Sequence, residues 1–293
     1  MKFIVSIKRL TSRLPFAVAY VVVTMLFGTC GLVAVCVGQE QELLGISGGA
    51  LISIDLENES IEEIGPTGFS VLSGLAFDAT NRTLFSIDVL GNQLVAIDPS
   101  TGLGNAVGTI GFDGVVGLVF SSASNTLFSV DTDVTTTDPL ISVDPNTGEG
   151  ESIGSTGFNG IGGLAFDTST ATLFGVGSPQ GSFREELVSI DEQSGSAAFV
   201  APVNSIDADA LTFDSLNFTL IGASNGFSDP LFGNAPTTIF SLNQSNGDIS
   251  LIASFPFPQT FGGLAFVTAA IPEPGTGCVL MLGLTGSLLR RRR

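Results

Sequence analysis

The peptide Gly74-Leu75-Ala76-Phe77 decides the fold of this chain, because it returns four times with small changes. In every copy a large apolar residue occupies each second position, which predicts a β-strand whose two faces meet different neighbours. The later copies are Gly117-Leu118-Val119-Phe120, Gly163-Leu164-Ala165-Phe166, Ala210-Leu211-Thr212-Phe213 and Gly263-Leu264-Ala265-Phe266, at spacings of 43, 46, 47 and 53 residues.

Three further apolar stretches follow the first copy before the next begins, at residues 84–87, 94–98 and 105–109. Turns rich in Asp, Asn, Pro and Gly separate them, as in Asp98-Pro99-Ser100-Thr101-Gly102, where an aspartate can cap a tight turn. Four short strands in a unit of about 45 residues are typical of one β-propeller blade. We therefore predict an all-β propeller of four-stranded blades over residues 39–267.

The two ends of the repeat region predict the number of blades. Before Gly74 the chain has the second, third and fourth strands of a unit, at residues 43–46, 51–55 and 61–65, but no first strand. After the fourth complete unit, residues 263–266 supply a first strand alone. Joined together, these pieces make one more blade. We expect the C-terminal strand to close a five-bladed ring that leaves no open sheet edge.

Residues 1–38 have the composition of a targeting segment. Lys2, Lys8, Arg9 and Arg13 precede an uncharged run at residues 14–37. A basic region followed by an apolar run predicts a signal peptide, and the length of the run leaves an uncleaved N-terminal anchor as the alternative. In either case we expect a helix here.

The C-terminus, residues 268–293, combines three features in order. A Pro-Glu-Pro motif precedes an apolar run, and a cluster of arginines ends the chain; the residues are Pro272, Glu273, Pro274, Arg290, Arg291, Arg292 and Arg293. This order closely resembles the bacterial PEP-CTERM protein-sorting signal.

The resemblance implies a linker and a sorting helix that enters the inner membrane transiently. It also implies export by the secretion machinery, processing by an exosortase, and a place at the cell surface or in an exopolysaccharide matrix. The repeat itself resembles bacterial extracellular propellers of the NHL and lactonase kind.

Composition excludes several functions. The chain has no His, so His-dependent catalytic triads and His-bearing zinc sites are ruled out. It has 28 Asp+Glu, and of its 10 Lys+Arg only Arg82 and Arg184 lie outside the two terminal segments. Such an acidic domain does not suit a nucleic-acid partner. The three cysteines, Cys30, Cys36 and Cys278, also lie in the terminal segments, and we expect a monomer without disulfides.

The winding of a propeller assigns every connection to one of two faces. On one face, here called the turn face, the connections are short and uniform. On the other, the link face, their length varies, most in residues 131–139, 177–186 and 224–238. Insertions collected on one face usually mark the binding side. Four polar residues of the link face are candidates to surround a ligand: Asp88, Asp113, Asn159 and Gln259.

The link face also carries candidate calcium ligands. Asp131 with Asp133, and Asp207 with Asp209, are close pairs of the hard oxygen ligands that calcium prefers. Other carboxylates of the same links are Asp138, Glu185, Glu186 and Asp229. The alternative interpretation is a solvated acidic surface on which Asp88 and Asp131 cap turns.

Two function classes follow. The favoured one is a non-enzymatic surface or matrix protein that uses the propeller as a binding scaffold for an exopolysaccharide or a surface protein. The alternative is a calcium-dependent hydrolase resembling propeller lactonases, in which channel carboxylates serve as ligands and base. Fold alone cannot decide between them.

Overall fold

A computed structural model describes residues 4–9, 19–27, 30–37, 41–132, 137–182, 184–203, 208–225, 228–229, 233–256 and 259–268. The described residues are strands and connections, with no helix among them. Leu43 to Val267 form one compact unit by their own contacts. The expected sorting helix and the Pro-Glu-Pro motif lie outside the described residues.

The N-terminal segment differs from the expected helix. Its described residues form three strands, β1 (Ile4–Arg9), β2 (Ala19–Phe27) and β3 (Cys30–Val37), paired in an antiparallel sheet of order β1-β2-β3. The run Val21-Val22-Val23 and the other β-branched residues of this segment favour an extended backbone. In the described part of the chain, no helix is long and apolar enough to span a membrane.

Five four-stranded antiparallel sheets form the predicted blades. The first blade holds β4 (Gln41–Ser47), β5 (Ala50–Asp55) and β6 (Ser60–Pro66). The second holds β7 (Leu72–Asp78), β8 (Thr83–Asp88), β9 (Gln93–Ile97) and β10 (Gly104–Thr109). The third holds β11 (Val115–Ser121), β12 (Thr126–Asp131), β13 (Pro139–Val143) and β14 (Gly150–Ser155).

The fourth blade holds β15 (Phe158–Asp167), β16 (Thr172–Pro179), β17 (Glu186–Ile190) and β18 (Ala197–Pro202). The fifth holds β19 (Ala210–Asp214), β20 (Thr219–Ser224), β23 (Thr237–Leu242) and β24 (Ile249–Phe255), with a small hairpin, β21 (Ser228–Asp229) and β22 (Gly233–Asn234), in one link. Finally β25 (Gly263–Thr268) pairs with β4 and completes the first blade. The predicted five blades and their closure are confirmed.

Apolar side chains between adjacent blades form the core. One cluster joins Phe85 and Leu94 of the second blade to Leu118, Leu127 and Ile141 of the third, all of them buried. Each such side chain contributes roughly 1.5–3 kcal/mol on burial. The outermost strands are more exposed and more polar, as the pattern of β14 shows. The alternation read from the sequence thus separates core from rim.

Aspartates organise the turn face as capping residues. Asp78 ends β7, is buried, and accepts hydrogen bonds from the backbone amides of Thr80 and Asn81 and from the Asn81 side chain. Asp214 binds the following turn in the same way. The Asp98 carboxylate accepts the amide and the hydroxyl of Ser100. The predicted capping role of the repeat aspartates is confirmed on this face.

Candidate functional site

The axis of the ring is packed with main chain. The first strands of all five blades meet there through Gly74, Gly117, Gly163, Ala210 and Gly263. A Cβ on Gly74 would lie 2.3 Å from the Leu118 nitrogen, and one on Gly263 would lie 2.4 Å from the Gly74 carbonyl carbon. The space left is about 10 Å³, which is about what one water molecule needs. Between these described residues, the axis has no room for a substrate.

Asp209 is the carboxylate at the link-face end of this axis. It lines the space at the axis and directly precedes β19. The other four blades have uncharged residues at the matching position: Ser73, Val116, Gly162 and Gly262. The Oδ2 atom of Asp209 accepts the backbone amide of Asn225 at 2.7 Å.

Asn225 continues this connection around the axis. Its side chain accepts the Phe261 amide at 2.6 Å and donates to the Phe261 carbonyl at 3.1 Å. Asp209 and Asn225 thus tie the fifth blade to the strand that closes the ring.

The link face has the uneven connections that the sequence predicts. Between second and third strands the links grow from residues 48–49 in the first blade to 89–92 in the second and 225–236 in the fifth. The turn-face connections between first and second strands are uniform, at residues 79–82, 122–125, 168–171 and 215–218. The other turn-face connections, between third and fourth strands, have four residues in the first blade and six in the others, so length varies much more on the link face of the described ring.

The four ligand candidates of the link face lie in different blades, and three make described side-chain contacts. Asp88 accepts a hydrogen bond from Gln93 Nε2 at 2.8 Å, and Asp113 accepts one from Asn92 Nδ2 at 3.1 Å. Gln259 Oε1 accepts the Ser47 hydroxyl at 3.3 Å. Asn159 lies in β15 opposite Ser178. These contacts order neighbouring links.

The sequence placed Asp138 among the carboxylates of the link face but not among the candidate ligands, and the structure buries it beside Asp131. Its Oδ2 accepts the backbone amide of Ile161, in the next blade, at 2.9 Å. Burial raises the pKa of Asp138, and the charge of Asp131 adds to the rise, while the Ile161 amide opposes it. Asp138 is thus a buried carboxylate that fastens the third blade to the fourth. In the sequence, the signal for this role of Asp138 was its position in the same link as Asp131, directly before Pro139 and a third strand.

Glu185 repeats this role one blade later. Its Oε2 accepts the Ala208 amide at 3.2 Å, across the same separation along the chain as Asp138 and Ile161. Asp138 and Glu185 therefore each join one blade to the next. The sequence alone could not reveal these backbone partners.

The structure describes only half of the predicted calcium set. Asp133 and Asp207 lie outside the described residues. Asp131 ends β12 in the third blade and pairs with Val115, whereas Asp209 precedes β19 of the fifth blade. Within the described ranges, no three Asp, Glu, Cys or His side chains are grouped so that they could hold a metal ion.

Comparisons with known proteins place the fold. No family model matches the chain, and no curated protein matches it in sequence. A chain of the nidogen/laminin complex superposes with a TM-score of 0.56 at 12% identity, over 78% of this chain and 98% of that one.

Two enzyme structures are also similar. A gluconolactonase from Xanthomonas campestris gives a TM-score of 0.47 at 15% identity, over 73% of this chain and 70% of that one. The PQQ-bound aldose sugar dehydrogenase from Streptomyces coelicolor gives a TM-score of 0.47 at 13% identity, over 77% of this chain and 75% of that one. The nidogen/laminin similarity, at its low identity, shows a shared propeller fold alone.

Proposed function

We propose that this chain is an exported, non-enzymatic binding scaffold of the cell surface or extracellular matrix, sorted by an exosortase system. The carrying observation is the contrast between the two faces of the ring. Short capped turns of four or six residues cover the turn face, whereas links of very different length cover the other. A rigid ring that presents variable links from one side suits recognition of a partner.

The packed axis favours this proposal over the hydrolase alternative. A propeller hydrolase of the lactonase kind needs carboxylates that converge on a pocket at the axis. Here main chain from five blades fills that position, and Asp209 is engaged by the Asn225 amide. The described geometry therefore supports binding at the loops rather than chemistry at the centre.

The direction of β25 supports a common orientation for sorting and binding. As an innermost strand, β25 runs from the link face to the turn face, so the described chain reaches Thr268 at the turn-face end. We expect an anchor joined to this end to leave the variable links free to meet a partner. A partner outside the cell would meet that face first.

Calcium enters the proposal as a counterion for the link face. Asp131 and Asp138 are two buried carboxylates; burial is the main cause of the raised pKa of Asp138, and the charge of Asp131 adds to it. A divalent cation in the neighbouring loops would relieve this repulsion together with that of the strongly acidic domain. The candidate ligands remain Asp131, Asp133, Asp207 and Asp209.

Sorting is tested by expressing the full chain in a host with an exosortase system and in the same host without it. We expect the exported protein to lack Arg290 to Arg293 only when the exosortase is present, as intact-mass measurement would show. A matched variant with Ala at Pro272, Glu273 and Pro274 should keep its C-terminus. Secreted wild-type protein that retains the arginines would contradict the proposal.

Binding is tested by shortening one link. Replacing residues 226–236 with Gly-Gly, which keeps Asn225 and leaves a link close in length to Gly48-Gly49 of the first blade, should release the exported protein from the matrix fraction. A loss of folding would appear as a lower melting temperature, so both quantities are measured. Full retention in the matrix by a folded variant would argue against the link face as the binding side.

A further inference from the structure

The fifth blade carries an aromatic side chain where the other blades carry polar or small ones. Phe218 is the last residue of its turn on the turn face and is 65% exposed. The matching residues are Arg82, Asn125 and Ala171. All four have left-handed backbone conformations, with φ between 53° and 56°. The turn is therefore the same in each blade, and only its side chain differs.

Neither the turn nor the core explains a phenylalanine at this position. A left-handed backbone is unfavourable for a bulky residue, and exposure of the ring to water adds to the cost. Asn125 and Ala171 close the same turn. A strained, exposed aromatic residue that the fold does not require points to a role in recognition.

Phe218 borders a groove of about 490 Å³ between two turns of the fifth blade. The other walls carry hydroxyl, amide and carboxylate groups, from Thr219, Ser241, Asn243, Gln244 and Asp248. Ligand-binding pockets commonly have volumes of about 300–1,000 Å³ and are lined mostly by apolar groups. The groove has a volume in this range but a mostly polar lining, with the ring of Phe218 as its exposed apolar surface.

Gln244 adds an amide group to this groove. Its Nε2 is buried and has no hydrogen-bond partner among the described residues, an unfavourable state for an amide donor. The matching turn residues are Pro99, Pro145 and Glu192, so the turn itself needs no amide, and Glu192 Oε1 is likewise buried without such a partner. A ligand hydroxyl in the groove would supply Gln244 Nε2 with an acceptor.

The charge of the groove selects the class of ligand. Asp248 lines it, no Lys or Arg does so, and the chain carries a formal net charge of −18. Anionic sugars would be repelled, whereas the hydroxyls of a neutral sugar can both donate to and accept from these side chains. We propose that this groove binds a neutral hexose oligosaccharide, with one sugar stacked on the ring of Phe218.

The third blade provides an internal control. Its equivalent groove has a volume of about 620 Å³ and is lined by Asn125, Pro145, Asp144, Glu149 and Glu151. It has the same position in the blade but no aromatic ring, no Gln244 equivalent and more carboxylates. We expect no binding of sugar there.

This inference deepens the proposed matrix function by naming a ligand class, and rests on it only for the presence of polysaccharide around the protein. The test uses the full chain in a detergent without a sugar headgroup. Cellohexaose, maltohexaose and laminarihexaose are titrated by calorimetry at millimolar concentration, with hexagalacturonate as the anionic control. We expect the wild-type protein to bind at least one neutral hexasaccharide in preference to hexagalacturonate.

Variants assign that binding to the groove. Phe218→Ala should weaken it about tenfold or more, as removal of a central aromatic contact does, and Phe218→Tyr should retain it. Gln244→Ala should weaken it, and Asn125→Ala should not. Melting temperatures separate loss of contact from loss of fold. Equal affinity of wild-type and Phe218→Ala protein, no binding of any neutral hexasaccharide, or a preference for hexagalacturonate would overturn the proposal. Sorting in cells is measured separately, so failure of either idea is recognisable.

Discussion

Truncating one leucine should show how much the closing strand contributes to the stability of the ring. Leu264 in β25 is 1% exposed and packs with Leu43 and Ile54 of the first blade and Ile221 of the fifth. The Cδ2 atom of Leu264 lies 3.3 Å from the position that a Cβ on Gly45 would occupy. Gly45 therefore has no side chain that could fill the cavity left by truncating Leu264. Leu264→Ala should therefore cost about 3–5 kcal/mol.

This loss is large against a typical total stability of about 5–15 kcal/mol. For a domain of this size it corresponds to a melting temperature lower by about 6–20 °C. Urea denaturation followed by circular dichroism measures the free energy of unfolding, and calorimetry measures the melting temperature. An unchanged urea dependence would show that the loss arises in the folded state.

Leu251→Ala is the matched control, because the same atoms are removed from a side chain that is 65% exposed in β24. It should change stability by less than about 0.5 kcal/mol. Ending the chain at residue 258, which removes β25, should cause aggregation through the opened edge of β4. If the Leu264→Ala and Leu251→Ala variants have the same melting temperature, packing of the closing strand does not stabilise the ring and the argument fails.

Four further predictions concern the axis, two carboxylates and calcium. Gly263→Ala should destabilise the ring strongly in urea denaturation, because its Cβ would meet the main chain of Gly74, which cannot rotate away. Asp138→Asn should gain stability relative to wild type as the pH rises from about 3 to 7, since a raised pKa means that the folded state loses stability on ionisation. Asp144→Ala should show the opposite trend and lose stability mainly at the higher pH. The reason is that hydrogen bonds, first from the Asn146 amide, lower the pKa of Asp144 in the folded state. Equal pH profiles of the Asp138→Asn and Asp144→Ala variants would contradict both predictions. Calcium should raise the melting temperature more than sodium does at equal ionic strength. Replacing the four candidate calcium aspartates with Asn should remove that difference. Identical effects of the two salts on the wild-type protein would exclude specific calcium binding.

The carboxylates show why the candidate site could be predicted only in part. The sequence identified Asp88, Asp113 and Asp131 as residues of one face, because the order of strands assigns every connection to a side. It could not identify their partners, since Gln93, Asn92 and Asp138 meet them through the path of each link. The same limit applies at the axis, where the approach of five main chains depends on how all blades pack together.

By itself, the sequence determined the strands, the capped turns, the five blades and the closure by residues 263–266. These follow from local alternation, turn chemistry and the count of repeat units, which are all properties of neighbouring residues. Only the tertiary structure decided that the axis is closed, that Asp138 is buried across a blade boundary, and that Phe218 faces a groove with Gln244. It also placed strands, not a helix, in the described N-terminal residues. The closed axis, the burial of Asp138 and the groove of Phe218 depend on distances between residues far apart in the chain, which packing sets and local pattern does not encode.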